Sequence, residues 1–168
     1  KGMAKNALTD VAATGANSPA AAPANSQTPN FKRAEEKATK AIQKHSMNIG
    51  GNERNPQMDE AHLLLGKSRY YENRYLPALE AFNYILLKYP SSDRIDEAKI
   101  WREKTNIKLD NEPVAIRNLK ELIEKKKDVM DEQTFADANA ILAEGYIQLQ
   151  SLDSAVTVLK NAAAFTEN

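Results

Sequence analysis

Met58 to Pro90 reads MDEAHLLLGKSRYYENRYLPALEAFNYILLKYP, and its wording decides the fold. The stretch has no sustained period-two alternation and no Asn-Gly or Asp-Gly pair, so it reads as helical. Ala61 follows an acidic residue near the start of a helix. Seventeen residues on comes Ala78, four further Phe82, and three further Ile85. The same residue classes return twice more in the same order, as Ala98, Ala115, Leu119 and Leu122, then Ala138, Ala155, Leu159 and Ala162. The offsets are 37 and 40 residues, the mark of an internally repeated chain. One Ala pair at this spacing would mean nothing in an Ala-rich sequence; three sets in register define a unit.

Packing explains the residue choice. A helical hairpin closes tightly only where one contact point on each helix is small, so that the axes approach to about 8–10 Å. The large residue one turn later fills the groove toward the next hairpin. A lone hairpin leaves that apolar face wet, so the units must stack. The competing reading is a plain antiparallel bundle with accidental spacing.

Outward from this stretch the pattern stays helical, with short turns that make consecutive helices antiparallel neighbours. Asn55-Pro56 reads as an N-cap followed by Pro at the first helical position. Tyr89-Pro90-Ser91-Ser92-Asp93 stops one helix and caps the next, and Asn111-Glu112-Pro113 and Ser151-Leu152-Asp153 do the same later. Residues 32–47 place Ala34, Ala38, Ala41 and Ile42 on one face, as a helix packed onto the first unit. Residues 14–30, with Pro19, Pro23 and Pro29 and no charge, read as a flexible linker spanning about 20–25 Å. MAKNALTDVAA before it reads as a short helix remnant. The expected division is thus 1–30, remnant and linker, and 31–168, a helical repeat domain.

Composition narrows the function classes. The 168 residues carry 23 Lys plus Arg against 23 Asp plus Glu, with no basic excess to neutralise phosphates. With no Cys there is no disulfide framework, thiol nucleophile or thiolate zinc site. No run of about 18 apolar residues spans a bilayer. Four Phe, six Tyr and one Trp make a thin core of small side chains, suited to closely packed helices. A chain starting at Lys1 reads as a processed or trimmed piece, and any signal peptide or lipid-bearing Cys would lie upstream of it.

Chemistry has no visible carrier. Gly66-Lys67-Ser68 matches the tail of a phosphate-binding loop, but Ala61 stands at the first Gly, and His62 to Leu65 make a helical stretch. His45 and His62 lie 17 residues apart without a ligand pattern. His45 reads as a cation at a helix C-terminus, and His62 as an aromatic of the repeat. Glu35-Glu36, Glu80 and Asp96-Glu97 alternate with cations as solvated helix pairs. Lys125-Lys126-Lys127 complements a helix end, too small a cluster for nucleic acid or lipid. No catalytic residue, metal or cofactor is expected.

Leu65-Gly66, Tyr75, Ala78, Phe82 and Pro90 fall at spacings that resemble the tetratricopeptide repeat signature. The later units depart from it, with Glu103 and then Ala143 at the Gly position and Gly145 two residues late. The resemblance implies an all-α, tetratricopeptide-like helical-hairpin solenoid of about three repeats plus one extra N-terminal helix. Its repeat core would comprise Ala61, Gly66, Tyr75, Ala78, Phe82, Ala98, Ala115, Leu119, Ala138, Ala155 and Leu159. In such a solenoid the first helix of each unit lines the concave face. By register, Lys67, Tyr70, Tyr71, Lys104, Lys108, Glu144 and Gln148 are the partner-binding candidates there, and Tyr70, Tyr71 and Tyr75 with Arg69 and Arg74 form the favoured patch. The Lys/Asn clamp of chaperone-docking members is absent, since Leu63 and Lys67 stand at its positions.

HSMNIGG (His45 to Gly51), the Met58–Pro90 stretch, EAKIWREKTNIKL (Glu97 to Leu109), ADANAILAEGYIQLQSLDSAV and NAAAFT together resemble the SprE/PorW-type gliding-motility lipoproteins of the type IX secretion system. The likeness covers about residues 31–166 and rests on overall wording. It implies a non-catalytic scaffold whose partners are protein subunits of a secretion or motility complex, not nucleic acid. It also implies a place on the periplasmic side of the outer membrane, held only by an upstream lipid anchor. The small tetratricopeptide lipoproteins of outer-membrane barrel assembly share the Ala78, Phe82 and Tyr89-Pro90 pattern and are the alternative, beside a generic adaptor of this repeat type.

Overall fold

The computed structural model describes residues 30–166. The expected helix remnant and, Asn30 apart, the expected linker lie outside the described residues. Among these, the chain forms α1 (Phe31–His45), a small β1 (Asn48–Ile49) and β2 (Asn52–Glu53) ladder, then α2 (Met58–Tyr71), α3 (Tyr75–Lys88), α4 (Ile95–Lys108), α5 (Glu112–Lys126), α6 (Glu132–Gln148) and α7 (Leu152–Thr166). Each helix packs on the next in sequence, so α2/α3, α4/α5 and α6/α7 are three stacked hairpins with α1 laid against the first. The architecture is an all-α helical-hairpin solenoid.

The repeat survives down to single dihedrals. Each hairpin turns through one left-handed non-glycine residue: Asn73 at φ 60°, Asp110 at 57° and Gln150 at 59°. These positions are again 37 and 40 residues apart. The N–H after each donates five residues back, Arg74 to the Arg69 carbonyl, Asn111 to Asn106 and Ser151 to Tyr146, at 2.8–2.9 Å. This is the Schellman closure, which satisfies carbonyls a helix end would otherwise orphan. Three extra residues in the third unit lengthen the start of α6, which has 17 residues against 14 in α2 and α4.

Ala78, Ala98, Ala115, Ala138 and Ala155 are buried, as the small contact points of a close hairpin require. Phe82 and Leu119 are both 0 % exposed, each roofed by the following hairpin. Leu159 departs from expectation at 46 % exposed, because no helix follows α7 among the described residues to cover it. Ala61 is only half-buried, unlike Ala98 and Ala138. Where the later units set a large residue against this Ala, α1 brings the small side chains of Ala38 and Ala41, and a cleft of about 400 Å³ remains beside Ala61. Tyr75 is half-buried against the first core cluster, its hydroxyl donating to Asn73 Oδ1 at 2.8 Å.

Gly66 and its two counterparts show three solutions to one contact. A Cβ on Gly66 would stand 2.5 Å from Phe82 Cε1, so only a hydrogen fits beneath that ring. In the second unit, where the register sets the smaller Leu119 in place of Phe82, the counterpart of Gly66 is Glu103, 1 % exposed. Its carboxylate accepts from Asn106 Nδ2 at 2.7 Å and Asn118 Nδ2 at 3.0 Å and pairs with Arg102 Nη2 at 2.5 Å. Ala143 fills the third. Gly145, two residues on, lets Ile116 of α5 approach to 3.0 Å from where its Cβ would be.

Two expectations change. Residues 48–53 make a two-stranded turn where no strand was expected, because Gly50 and Gly51 take φ 62° and 81°, the paired left-handed conformation a tight hairpin needs. The Gly-Gly pair was the overlooked signal. Glu53 closes this loop: Ser46 donates to its Oε2, and the N–H groups of Asn55, Met47 and Arg54 to Oε1. These bonds, the Ser46 hydroxyl foremost, hold its pKa down at about 2. Asn55 is not the N-cap of α2; Gln57 takes that position. Asn55 Oδ1 instead accepts from the Gln57 N–H at 3.0 Å, using its side chain to turn the chain one step earlier.

Candidate functional site

Neighbouring first helices touch, α2 with α4 and more closely α4 with α6, whereas no comparably packed pair occurs among α3, α5 and α7. The stack therefore curves with α2, α4 and α6 on its inner side. Repeat register then lays out the inner face in rows: Lys67, Lys104 and Glu144; Tyr71, Lys108 and Gln148; Leu64, Trp101 and Ile141; Glu60, Glu97 and Asp137. Six of the seven expected partner residues stand in the first two rows.

The seventh, Tyr70, is a correction. It is 7 % exposed and belongs to the first core cluster, edge-on to Tyr75 and Trp101 at 5.4 and 5.5 Å. Burial foremost pushes its hydroxyl well above the ordinary tyrosine range, with the Glu144 charge adding to it. Tyr71 remains 48 % exposed, although Phe31 of α1 stacks on it at 4.6 Å. The favoured arginines are also committed elsewhere. Arg69 Nε and Arg74 Nη1 both bind Glu35 of α1, at 2.9 and 2.6 Å, and Arg69 Nη1 donates to the Pro77 carbonyl at 3.1 Å. Burial tends to raise the Glu35 pKa, but the two guanidinium hydrogen bonds outweigh it and leave the carboxyl below the usual range. This pair of bonds staples α1 to the first hairpin instead of facing a partner.

Charges on the inner face are mostly matched between neighbouring helices. Lys67 binds Glu97, joining α2 to α4, and Lys108 binds Glu144 at 2.7 Å, joining α4 to α6. Lys104 differs: its ammonium lies 4.8 Å from the Trp101 ring and 5.5 Å from Tyr70, with no carboxylate in ion-pair range among the described residues. Lys67 also lies over the indole, its ammonium 5.2 Å from the ring centroid. Gln148 is exposed at the end of α6. Trp101, half-buried between Tyr70, Tyr71 and Phe82, is the centre of this surface and escaped the sequence reading. Its being the only Trp in the chain was the available signal.

The remaining candidates have structural explanations. Gly66-Lys67-Ser68 lies inside α2, with its N–H groups engaged in the helix and Ser68 Oγ donating to the Leu64 carbonyl at 2.8 Å. His62 stacks on Tyr84 at 4.4 Å, in the aromatic role its place in the repeat suggested. Burial, then the Arg69 charge, lowers its pKa and favours the neutral ring. Lys125 and Lys126 pair with Glu121 and Asp96. No cluster of metal-ligating side chains occurs among the described residues. No helix is long and apolar enough to cross a membrane among them either. In comparison with known proteins, the chain matches no family model and no curated sequence.

Proposed function

We propose that the chain is a protein-interaction scaffold which holds segments of partner proteins along its inner face. The observation that carries this reading is the strip formed by Tyr71, Trp101 and Lys104: large aromatic area, partly open to solvent, set on helices fixed by interhelical ion pairs. Aromatic rings gain much by losing water and lose little side-chain freedom on binding, so such a strip suits a protein partner. The lattice of hairpins presents it without rearrangement.

The wording shared with SprE/PorW-type lipoproteins supports placing this scaffold in the type IX secretion and gliding-motility machinery, on the periplasmic side of the outer membrane. A photo-crosslinking residue at Tyr71 or Lys104, compared with one at Glu80 or Lys120 on exposed outer positions, tests both parts in intact envelopes. Inner positions should capture secretion or motility subunits and outer positions should not. Equal capture from both faces overturns the groove, and capture of a barrel-assembly subunit moves the scaffold to that machinery.

A further inference from the structure

The repeat itself marks one place on the inner face where an expected contact stays open. Lys67 and Glu97 bridge α2 to α4. Moving each partner forward one unit gives Lys104 on α4 and Asp137 on α6. These two line one cleft of about 240 Å³, with Ile100, Trp101, Ala140 and Ile141, yet do not pair. Lys104 leans over the Trp101 and Tyr70 rings instead, and Asp137 Oδ1 accepts from Gln133 Nε2 at 2.9 Å on its own helix. Asp is one methylene shorter than Glu97, and Ala140 is smaller than its counterpart Ile100, so both differences widen this gap.

Resting on the scaffold reading above, we propose that this cleft receives an extended peptide segment carrying an acidic and a basic side chain on either side of an aliphatic one. The acid meets Lys104, the base meets Asp137, and the aliphatic side chain lies on Ile100, Ala140 and Ile141 against the Trp101 ring. A cation and an anion left unpaired across an apolar floor complement a ligand with the opposite pair. Neither a uniformly acidic nor a uniformly basic segment would satisfy both.

Trp101 is the sole indole and lines the cleft, so its fluorescence reports occupancy directly. The full chain is titrated with capped peptides holding Glu-Gly-Leu-Gly-Lys or Lys-Gly-Leu-Gly-Glu, whose alternate side chains share one face when extended, and with the uncharged Gln-Gly-Leu-Gly-Gln. One of the charged peptides should bind about tenfold tighter than the neutral one, as two solvent-facing ion pairs together supply. High salt should erase that preference. Lys104→Met and Asp137→Asn, checked by unchanged helical melting, should each remove most of it. Equal affinity for charged and neutral peptides overturns the charge assignment while leaving the scaffold reading intact. No emission change with any peptide, or a change driven by protein concentration alone through a second copy, overturns the proposal. Loss of inner-face crosslinking, by contrast, would bring down the scaffold reading as well.

Discussion

Replacing Gly66 by Ala should destabilise this protein, although the same change in a helix interior ordinarily stabilises by about 0.5–1 kcal/mol. The sign is set by Phe82. The new methyl would stand 2.5, 2.8 and 2.9 Å from three atoms of a ring that is itself 0 % exposed and stacked near Trp101. Overpacking of that kind costs about 1–3 kcal/mol, and three contacts under 3 Å place it at the upper end. The net loss should be about 2 kcal/mol, a fall of roughly 5–10 °C in melting temperature for a domain of this size. The chain carries its own precedent in the register, because Leu119 and Leu159 stand at the Phe82 position in the units that have Glu103 and Ala143 at the Gly66 position. Phe82→Leu should therefore relieve Gly66→Ala, with a coupling of about 1 kcal/mol or more in a double-mutant cycle. Circular-dichroism melts give the global effect, and amide exchange in α2 and α3 locates it, which matters because stacked hairpins need not unfold together. A Gly66→Ala protein that melts higher than its parent, or a double variant no better than Gly66→Ala alone, would refute the proposed fit between ring and glycine.

The other expectations test separate parts of the stack. His62 has a folded pKa below its unfolded value, so stability is full above about pH 6.5 and falls as the unfolded state takes up its proton on acidification. His62→Phe should keep the Tyr84 stacking and flatten melting temperature between about pH 7 and pH 5; an unchanged slope would exclude this histidine as the cause. Glu53 also has a lowered pKa, so the loop it closes should hold above about pH 4.5 and loosen as pH falls toward 2, visible as faster exchange of the Met47 and Asn55 amides. Gln150 occupies a left-handed turn that strains a side chain, so Gln150→Gly should raise stability by about 0.5–1 kcal/mol, and a loss would argue against the strain. Glu103→Ala would leave Asn106 and Asn118 without their shared acceptor and should cost about 2–3 kcal/mol, with Glu103→Gln costing less; equal melting of both with the parent would empty the network of significance.

The sequence alone determined the helical class, the repeat and its register, because a small residue opposite a large one at fixed spacing is a local pattern with one packing solution. It reached Ala78, Ala115 and Ala155, the outlines of the hairpins and two of the four rows of the inner face, but not the row that holds Trp101. Tertiary structure alone decided what each row can do. Tyr70 is buried and Tyr71 open although they are adjacent, because helix rotation turns one under Trp101. Arg69 and Arg74 are spent on Glu35, which lies more than 30 residues away in sequence. Leu159 is bare while Leu119 is roofed, since burial depends on the neighbour and not on the residue. Lys67 finds Glu97 while Lys104 misses Asp137 for the same reason: ion pairing turns on ångström-scale reach between helices, and spacing along the chain carries no such distance.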